Sequence, residues 1–551
     1  MRSNRIPAVS GPTLLLAGLI AFLCYWLLFP MGTLIMRSLS DENGVFVGLS
    51  NFLVIFQTPG LFRAVWHTLV IGVTVMCITV TLAFIVAYGL TRARILGSRT
   101  ASAVCMLPLF APSLFPAVGL IYLFGAQGIA NEMLFGAELQ GPVGIVLGCI
   151  IYCLPHAVVL CLTTLRSIDP NLYEAARTLG VGSWKRFYTI TLPHARHGIV
   201  SAALVVFILT ITDFGVPKVL GGDYSMLATE IYTQVLGMHN FALGASISLV
   251  LMLPSLVAFY IDSWARKKQS RLFSRAMERP IERHGRRDAV FSILVWSIMG
   301  AQITVFAMVV WGSFINFWPY DLSLTLLNYD FSVMGGSMLP FMNSVILAFG
   351  VAVIGPVVMF LGVYCISRCP VPGIMAGFYR VVTLFPLSIP GTVLGLAYIF
   401  AFNRSGAWYD LLHGSVLLLV LNTTIHFYTV GHLTFSAALQ KLNPEYETVG
   451  FMSGVPRHVT FFRVICPLGI RSLIEVSLYM FVNALTTISA VVFLYTPSTM
   501  PASVFMLQIN ETGNTAAAAA AGTVILGLAF GARLLYALLL HVWDRRARFS
   551  R

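Results

Sequence analysis

The nine cysteines of this chain, at 24, 77, 105, 149, 153, 161, 365, 369 and 466, include two pairs four residues apart, Cys149/Cys153 and Cys365/Cys369. One helical face would present each pair as soft metal ligands. No histidine or acid completes a four-ligand set, so the pairs read as buried apolar thiols and no metal is expected. HExxH, GxSxG and a glycine-rich phosphate loop ending in Lys-Ser/Thr do not occur. The sequence therefore predicts no catalytic residues and no bound cofactor, and if ATP is used, another polypeptide binds it. A proton or sodium relay would need ionisable groups inside apolar runs. The candidates are Asp213, Glu475 and Arg533, and each also fits an interfacial or snorkelling position.

The residues that do stand out are polar ones in an oily setting. "EAARTLGVGSWKRFYTITLPHA", Glu174 to Ala195, is a basic island between two apolar runs. After Pro170, which suits a first helical turn, "NLYEAARTL" reads as a short helix, and Gly180 ends it in the left-handed conformation that glycine adopts cheaply. Ser183 is placed to cap a second short helix, "WKRFY", and Pro193 precedes the next span at about Gly198. Small Ala175 and Ala176 permit close approach of another surface.

The elements that position this island are membrane spans. Of the 551 residues, 58% are hydrophobic and 10% charged, and the mean hydropathy is +0.85. That composition excludes a soluble globular domain. Twelve apolar runs, each about long enough to cross a bilayer, lie near 12–36, 64–90, 101–126, 142–165, 198–216, 242–264, 289–316, 340–366, 376–402, 412–436, 471–494 and 513–541. With both termini cytoplasmic, the inward segments carry 28 of the 34 Lys and Arg residues. The net charge of +13 thus follows topology rather than a nucleic-acid partner. Arg2 and Arg5 ahead of a long apolar run with no small-residue cleavage site read as an uncleaved first span.

The runs form two sets of six, 1–264 and 289–551, joined by a basic linker, 265–288. At an offset of 276, His67-Thr68 matches Asn343-Ser344, Tyr88 matches Tyr364, Arg92 matches Arg368, Gly119 matches Gly395 and Tyr122 matches Tyr398. Pro108 and Pro112 match Pro386 and Pro390 two residues later in register, and near the islands the offset becomes 274, pairing Pro170, Gly180 and Pro193 with Pro444, Gly454 and Pro467. A duplication with both halves starting on one side predicts parallel repeats and a pathway between them. The fold class is therefore an all-α membrane protein of about twelve helices in two six-helix repeats. The polar islands become a matching pair, 166–197 and 437–470.

"EAARTLG", with the "ITLP" that ends at Pro193, resembles the EAA loop of permease subunits of bacterial ABC importers, and the resemblance extends over both halves. It implies that the two loops dock two cytoplasmic ATPase subunits, which hold the ATP and Mg, while a periplasmic binding protein delivers cargo through the inner membrane. Carried over by position, Glu174, Ala175, Ala176, Gly180 and Pro193 belong to the first coupling loop, and Gly454 and Pro467 to the second. The second loop departs from the pattern, with Thr448, Val449 and Gly450 where the first has Glu174, Ala175 and Ala176. Fused permeases of this size are familiar for ferric iron, thiamine and 2-aminoethylphosphonate, and Thr212 to Ala245 is most similar to the last group. Lys218, Gly221, Gly222, Asp223 and Glu230 in that segment equally suit contact with a binding protein. Thr210, Thr212 and Asp213 in the first half, and Asn483, Thr486, Thr487 and Ser489 in the second, are candidates to line the path. The same residue types also serve as hydrogen bonds between packed helices, and a secondary carrier shares the two-half layout.

Overall fold

A computed structural model describes residues 11–134, 139–269, 285–334, 337–403, 406, 409 and 412–549. Most of the basic linker, 270–284, and the terminal residues 1–10 and 550–551 lie outside that set. Each of the twelve apolar runs contains helix. Nine of them are single helices long and apolar enough to span a membrane, from Gly11–Ser38 to Thr515–His541. The other three are broken. The run at 101–126 consists of Ser98–Cys105, a short 3-10 turn at Leu107–Phe110, and Leu114–Phe124. Its counterpart at 376–402 is a pair, Gly373–Ser388 and Gly391–Phe402, bent by 112°. The run at 412–436 is bent by 54° between Val416–His426 and Tyr428–Gln440. Pro108 and Pro112, Pro386 and Pro390 lie at or beside the first two breaks, where the missing N–H and the restricted preceding residue stop an α-ladder.

Other prolines are absorbed rather than breaking the helix. At Cys24–Leu28, Phe187–Thr191 and Phe461–Ile465 the helix widens to a π-turn, and the next N–H reaches back five residues, to Cys24, Phe187 and Phe461. Pro30, Pro193 and Pro467 each follow two residues after such a turn. The widened turn shifts the ladder where proline would interrupt it. The fifth span therefore does not begin near Gly198: it runs as one helix, Ser183–Thr212, through Pro193, and its counterpart runs Arg457–Thr486 through Pro467.

Packing divides the described residues into two compact units that do not follow the repeat boundary. One contains 38–334 with 505–524; the other contains 11–37, 337–504 and 525–549. The first helix of the chain thus packs with the second repeat, and the helix Gly285–Gly312 packs with the first. Repeat-matched tyrosines mark both exchanges. Tyr398 Oη donates to Trp26 O at 2.6 Å in one unit. In the other, a Cβ added at Gly312 would come 2.6 Å from the Tyr122 ring.

Matched hydroxyls also serve matched ends. Thr68 Oγ1 accepts from Leu227 N at 2.9 Å, starting the helix Leu227–Tyr232, and Ser344 Oγ accepts from Ala502 N at 2.7 Å, starting Ala502–Glu511. Beyond the helices, the described residues contain a two-stranded antiparallel hairpin, Ile315–Phe317 with Asp321–Leu324. Asp321 accepts from Asn316 Nδ2 at 2.7 Å and from Ser323 N at 3.0 Å. The Ser323 side chain first, and then these two bonds, hold its carboxyl below the usual range.

Candidate functional site

The first island is a helix, a glycine turn and a second helix continuous with the span. Asp169 caps Pro170–Thr178 by accepting from Asn171 N at 2.9 Å. The helix closes with a paired turn: Gly180 N donates to Arg177 O at 3.0 Å and Val181 N to Ala176 O at 2.9 Å, with Gly180 at φ +70°. Ser183 is not the cap read from the sequence. It is the first residue of Ser183–Arg186, and its Oγ accepts from Arg186 Nη2 at 3.0 Å.

The second island repeats this build. Asn443 Oδ1 accepts from Glu445 N at 3.1 Å ahead of Glu445–Met452. Gly454 N donates to Phe451 O at 3.1 Å, Val455 N donates to Gly450 O at 2.9 Å, and Gly454 has φ +71°. The departure at Gly450 has a local cause, since a Cβ there would come 2.7 Å from Thr460 Oγ1. Both short helices leave apolar side chains in the open: Leu172 on the first with Leu179 just beyond its end, and Tyr446, Val449 and Met452 on the second. Ala175 and Glu174 are exposed and Ala176 is half-buried.

Each bracket is held to the membrane helices at two points. On its first limb, Arg92 Nη2 donates to Leu165 O at 3.3 Å and the guanidinium lies 4.2 Å over the Tyr173 ring. Arg368 Nη2 donates to Leu439 O and Leu442 O, both at 2.6 Å, and Arg368 Nη1 stands 3.7 Å from Glu447 Oε2. Leu439 and Glu447 are the 274-offset partners of Leu165 and Tyr173. On the second limb, Phe187 packs against Phe84 and Tyr88 with ring centroids at 6.2 and 5.8 Å. Phe461 packs against Phe360 and Tyr364 at 5.8 and 4.6 Å. The island glycines and prolines are legible in the sequence. The arginines appear there only as repeat matches, because their partners lie some 70 residues away.

The residues expected to line a path sit at the ends of the two fifth spans, and most bond within their own helices. Thr212 Oγ1 donates to Ile208 O, Asn483 Nδ2 to Tyr479 O and Thr486 Oγ1 to Val482 O. Thr210 is buried, its Oγ1 3.8 Å from Cys153 Sγ. Asp213 is buried at the helix end, where its Oδ2 accepts from Val216 N at 2.9 Å and so starts Gly215–Leu220. Its offset partner, Thr487, is also buried, and Thr487 O accepts from Ser503 Oγ at 2.6 Å.

A contact at these breaks is inverted between the repeats. The bare Cα of Gly215 faces the Ser113 hydroxyl, whereas Ser489 presents its hydroxyl to the bare Cα of Gly391. Lys218 is engaged within its own unit, 2.8 Å from Glu511 and 4.8 Å over the Tyr232 ring.

Sequence reasoning missed the polar helix Val416–His426 with its continuation. Asn422, Thr423 and Thr424 are fully buried, and Asn422 Nδ2 donates to Ala490 O at 2.7 Å. Asn422 Oδ1, both threonine hydroxyls, and Nδ1 of His426 and of His432 have no hydrogen-bond partner. The first repeat has Cys149, Ile150 and Tyr152 at the positions of Thr423, Thr424 and His426. This contrast was the available signal. Near the start of this helix, a cavity of about 130 Å³ is lined by Tyr398, Asn403, His413, Leu418, Phe493 and Thr496, among others.

The chain is 26% identical over 441 residues to the ferric transport system permease protein FbpB of Actinobacillus pleuropneumoniae, a match covering 76% of this chain and 63% of that protein. The chain therefore spans less than two thirds of the length of that relative. It is 28% identical over 218 residues to a spermidine/putrescine transport system permease protein PotC homolog of Mycoplasma genitalium, covering 39% of this chain and 73% of the relative. A crystal structure of a bacterial ABC transporter involved in the import of the acidic polysaccharide alginate aligns with 47% of this chain and 94% of its own, at 20% identity and a TM-score of 0.38. The family model for the binding-protein-dependent transport system inner membrane component matches twice, at residues 79–271 and 359–544. Each match contains one of the two brackets, and with nine unbroken apolar spans among the described residues the chain belongs to this family of multi-pass inner-membrane transport components.

Proposed function

We propose that the chain is the permease subunit of an ABC importer, with both termini in the cytoplasm. Two ATPase subunits carry the ATP and Mg and engage the brackets around Gly180 and Gly454, and a periplasmic binding protein delivers cargo on the other side. The carrying observation is the pair of brackets, built alike down to the φ of the glycine, each with exposed apolar side chains and each clamped to its spans by an arginine and an aromatic cluster. Such a clamp transmits force: closing of the ATPases moves the short helices, and the spans that hold them follow, so that differential binding shifts the population between inward- and outward-facing states.

The cargo reading is 2-aminoethylphosphonate, on the resemblance of Thr212 to Ala245 to that group. A second reading, ferric iron, is favoured by the ferric permease relative. The unpartnered Asn422 Oδ1, the Thr423 and Thr424 hydroxyls, and Nδ1 of His426 and of His432 suit a polar or hydrated cargo, because buried polar groups in a membrane bundle are costly unless something meets them. A coupled secondary carrier is disfavoured: Asp213 starts a helix, Glu475 stands 3.6 Å from Arg471, and Arg533 lies 5.0 Å over the Tyr536 ring.

The test is uptake of labelled 2-aminoethylphosphonate and of labelled ferric iron by cells expressing the chain with a cognate ATPase and binding protein, alongside an ATPase lacking its nucleotide-binding lysine. Uptake of one cargo that vanishes with the lysine is the expected result. Uptake that survives the lysine mutant and collapses with an uncoupler would overturn the ABC reading.

A further inference from the structure

The two guanidiniums at Arg92 and Arg368 each join three elements. Each arginine closes its own span, Pro59–Arg92 or Leu339–Arg368. Each also donates to a carbonyl at the end of the fourth span, at Leu165 or Leu439. Arginine near a helix C-terminus satisfies carbonyls that lack intrahelical partners and sits favourably in the helix dipole. The third element is the short helix of the bracket, reached through residue 173 or 447.

Here the repeats diverge. Tyr173 offers a π-face, and its hydroxyl is 2.8 Å from Thr191 Oγ1, which ties the ring to the second limb. Glu447 offers a carboxylate, neither oxygen of which makes a hydrogen bond. Its charge partner is Arg368 at 3.7 Å, and that arginine is only 9% exposed. A half-buried carboxylate in this state depends on the arginine for its charge balance. A ring beneath a guanidinium has no such dependence, and the contact needs only desolvation and proximity.

We propose that Arg92 and Arg368 are the positioning residues of the two coupling brackets, the first latched through an uncharged ring and the second through an ion pair. The inference rests on the permease reading only for its consequence in transport; the latch itself belongs to the chain alone. The second bracket is then the one whose seating depends on charge. This difference lies one residue before the positions where the second loop has lost the Glu-Ala-Ala pattern of the first.

The experiment uses the full chain in lipid nanodiscs and follows amide hydrogen exchange over 170–178 and 445–452, with ATP-dependent uptake measured in parallel with the partner subunits present. Arg368→Glu and Glu447→Arg should each speed exchange of 445–452 by about tenfold and leave 170–178 unchanged, and the exchanged pair Arg368→Glu/Glu447→Arg should recover most of the protection. Tyr173→Phe should keep the first bracket protected and Tyr173→Leu should release it, whereas Glu447→Gln, which keeps the shape of the side chain and removes its charge, should loosen the second bracket and spare the first.

Failure of the charge-exchanged pair to recover, or unchanged exchange in every single variant, would overturn the latch. If wild-type exchange behaves as described but no ATP-dependent uptake is found, the permease reading fails while the latch stands. Should a charge-reversed variant misfold, the isosteric Glu447→Gln decides the question: unchanged exchange over 445–452 in that variant would overturn the latch.

Discussion

Gly180 and Gly454 hold φ near +70° with no heavy atom near an added Cβ, so their constraint is conformational rather than steric. Gly180→Val should cost about 1–2 kcal/mol at the turn, leave the protein in the membrane and cut uptake severely. Gly180→Asn should be milder because asparagine tolerates this region. Membrane abundance and ATP-driven uptake, measured together, check both, and wild-type uptake in the valine variant would refute the coupling role. Glu174→Ala, on an exposed surface, should have the smaller effect.

The inverted pair supplies a second prediction. Gly215→Ser sets a hydroxymethyl against Ser113 and should destabilise by about 1–3 kcal/mol through overpacking. Adding Ser113→Gly recreates the arrangement of Gly391 and Ser489 and should restore the melting temperature. The glycines were legible because a helix stop followed by Pro recurs at one offset. The hydroxyl inversion was not, since it joins residues about a hundred positions apart and no local pattern encodes it. Ser183 shows the opposite error: a residue type suited to capping stood where Gly182 precedes the first turn without any side-chain cap.

At the scale of elements, apolar run length located the spans but did not show which would be continuous. Pro193 and Pro467 looked like boundaries in the sequence; a π-turn ahead of each let the helix pass through. Pro386 and Pro390 have no such turn, and that run bends by 112°. Pro155, Pro254 and Pro356 stand inside continuous helices without such a turn, so neither periodicity nor the presence of proline distinguishes these cases.

The polar helix Val416–His426 escaped notice for a related reason. Its threonines and asparagine sit among leucines and valines, and average hydropathy absorbs them. Asn422→Leu removes an orphan acceptor and leaves Ala490 O without its donor. The two effects oppose, so thermal stability should stay within about 1–2 kcal/mol of wild type. If the polar helix meets cargo, uptake should nevertheless fall about tenfold or more, a split that thermal unfolding and transport assays on one preparation will reveal. Equal loss of stability and uptake would assign Asn422 to packing alone.

At the scale of the whole molecule, duplication was plain in the sequence, but the exchange of first helices was not. An apolar helix face fits any apolar partner of suitable shape, so residues 11–37 carry no local sign that they pack with the second repeat. Separate expression of 1–269 or 285–551 should give protein that is cleared from the membrane, because 1–269 lacks the helix Gly285–Gly312 and residues 505–524 of its compact unit, while 285–551 lacks the first helix of its own and keeps those two segments without partners. Co-expression should restore both fragments, as membrane immunoblots and uptake would register.

The exchange also sets a schedule for biogenesis. Trp26 O accepts from Tyr398, 372 residues further along the chain. At roughly 5–20 residues per second, the first helix waits about 20–75 s in the bilayer before that hydrogen bond can form. During that interval it is available to any other partner, including the matching repeat of a neighbouring nascent chain. Tethering both repeats in one polypeptide raises the local concentration of the correct partner as soon as it emerges. Fusion of the halves thus fixes parentage as well as stoichiometry, and every completed molecule closes on a helix it made itself.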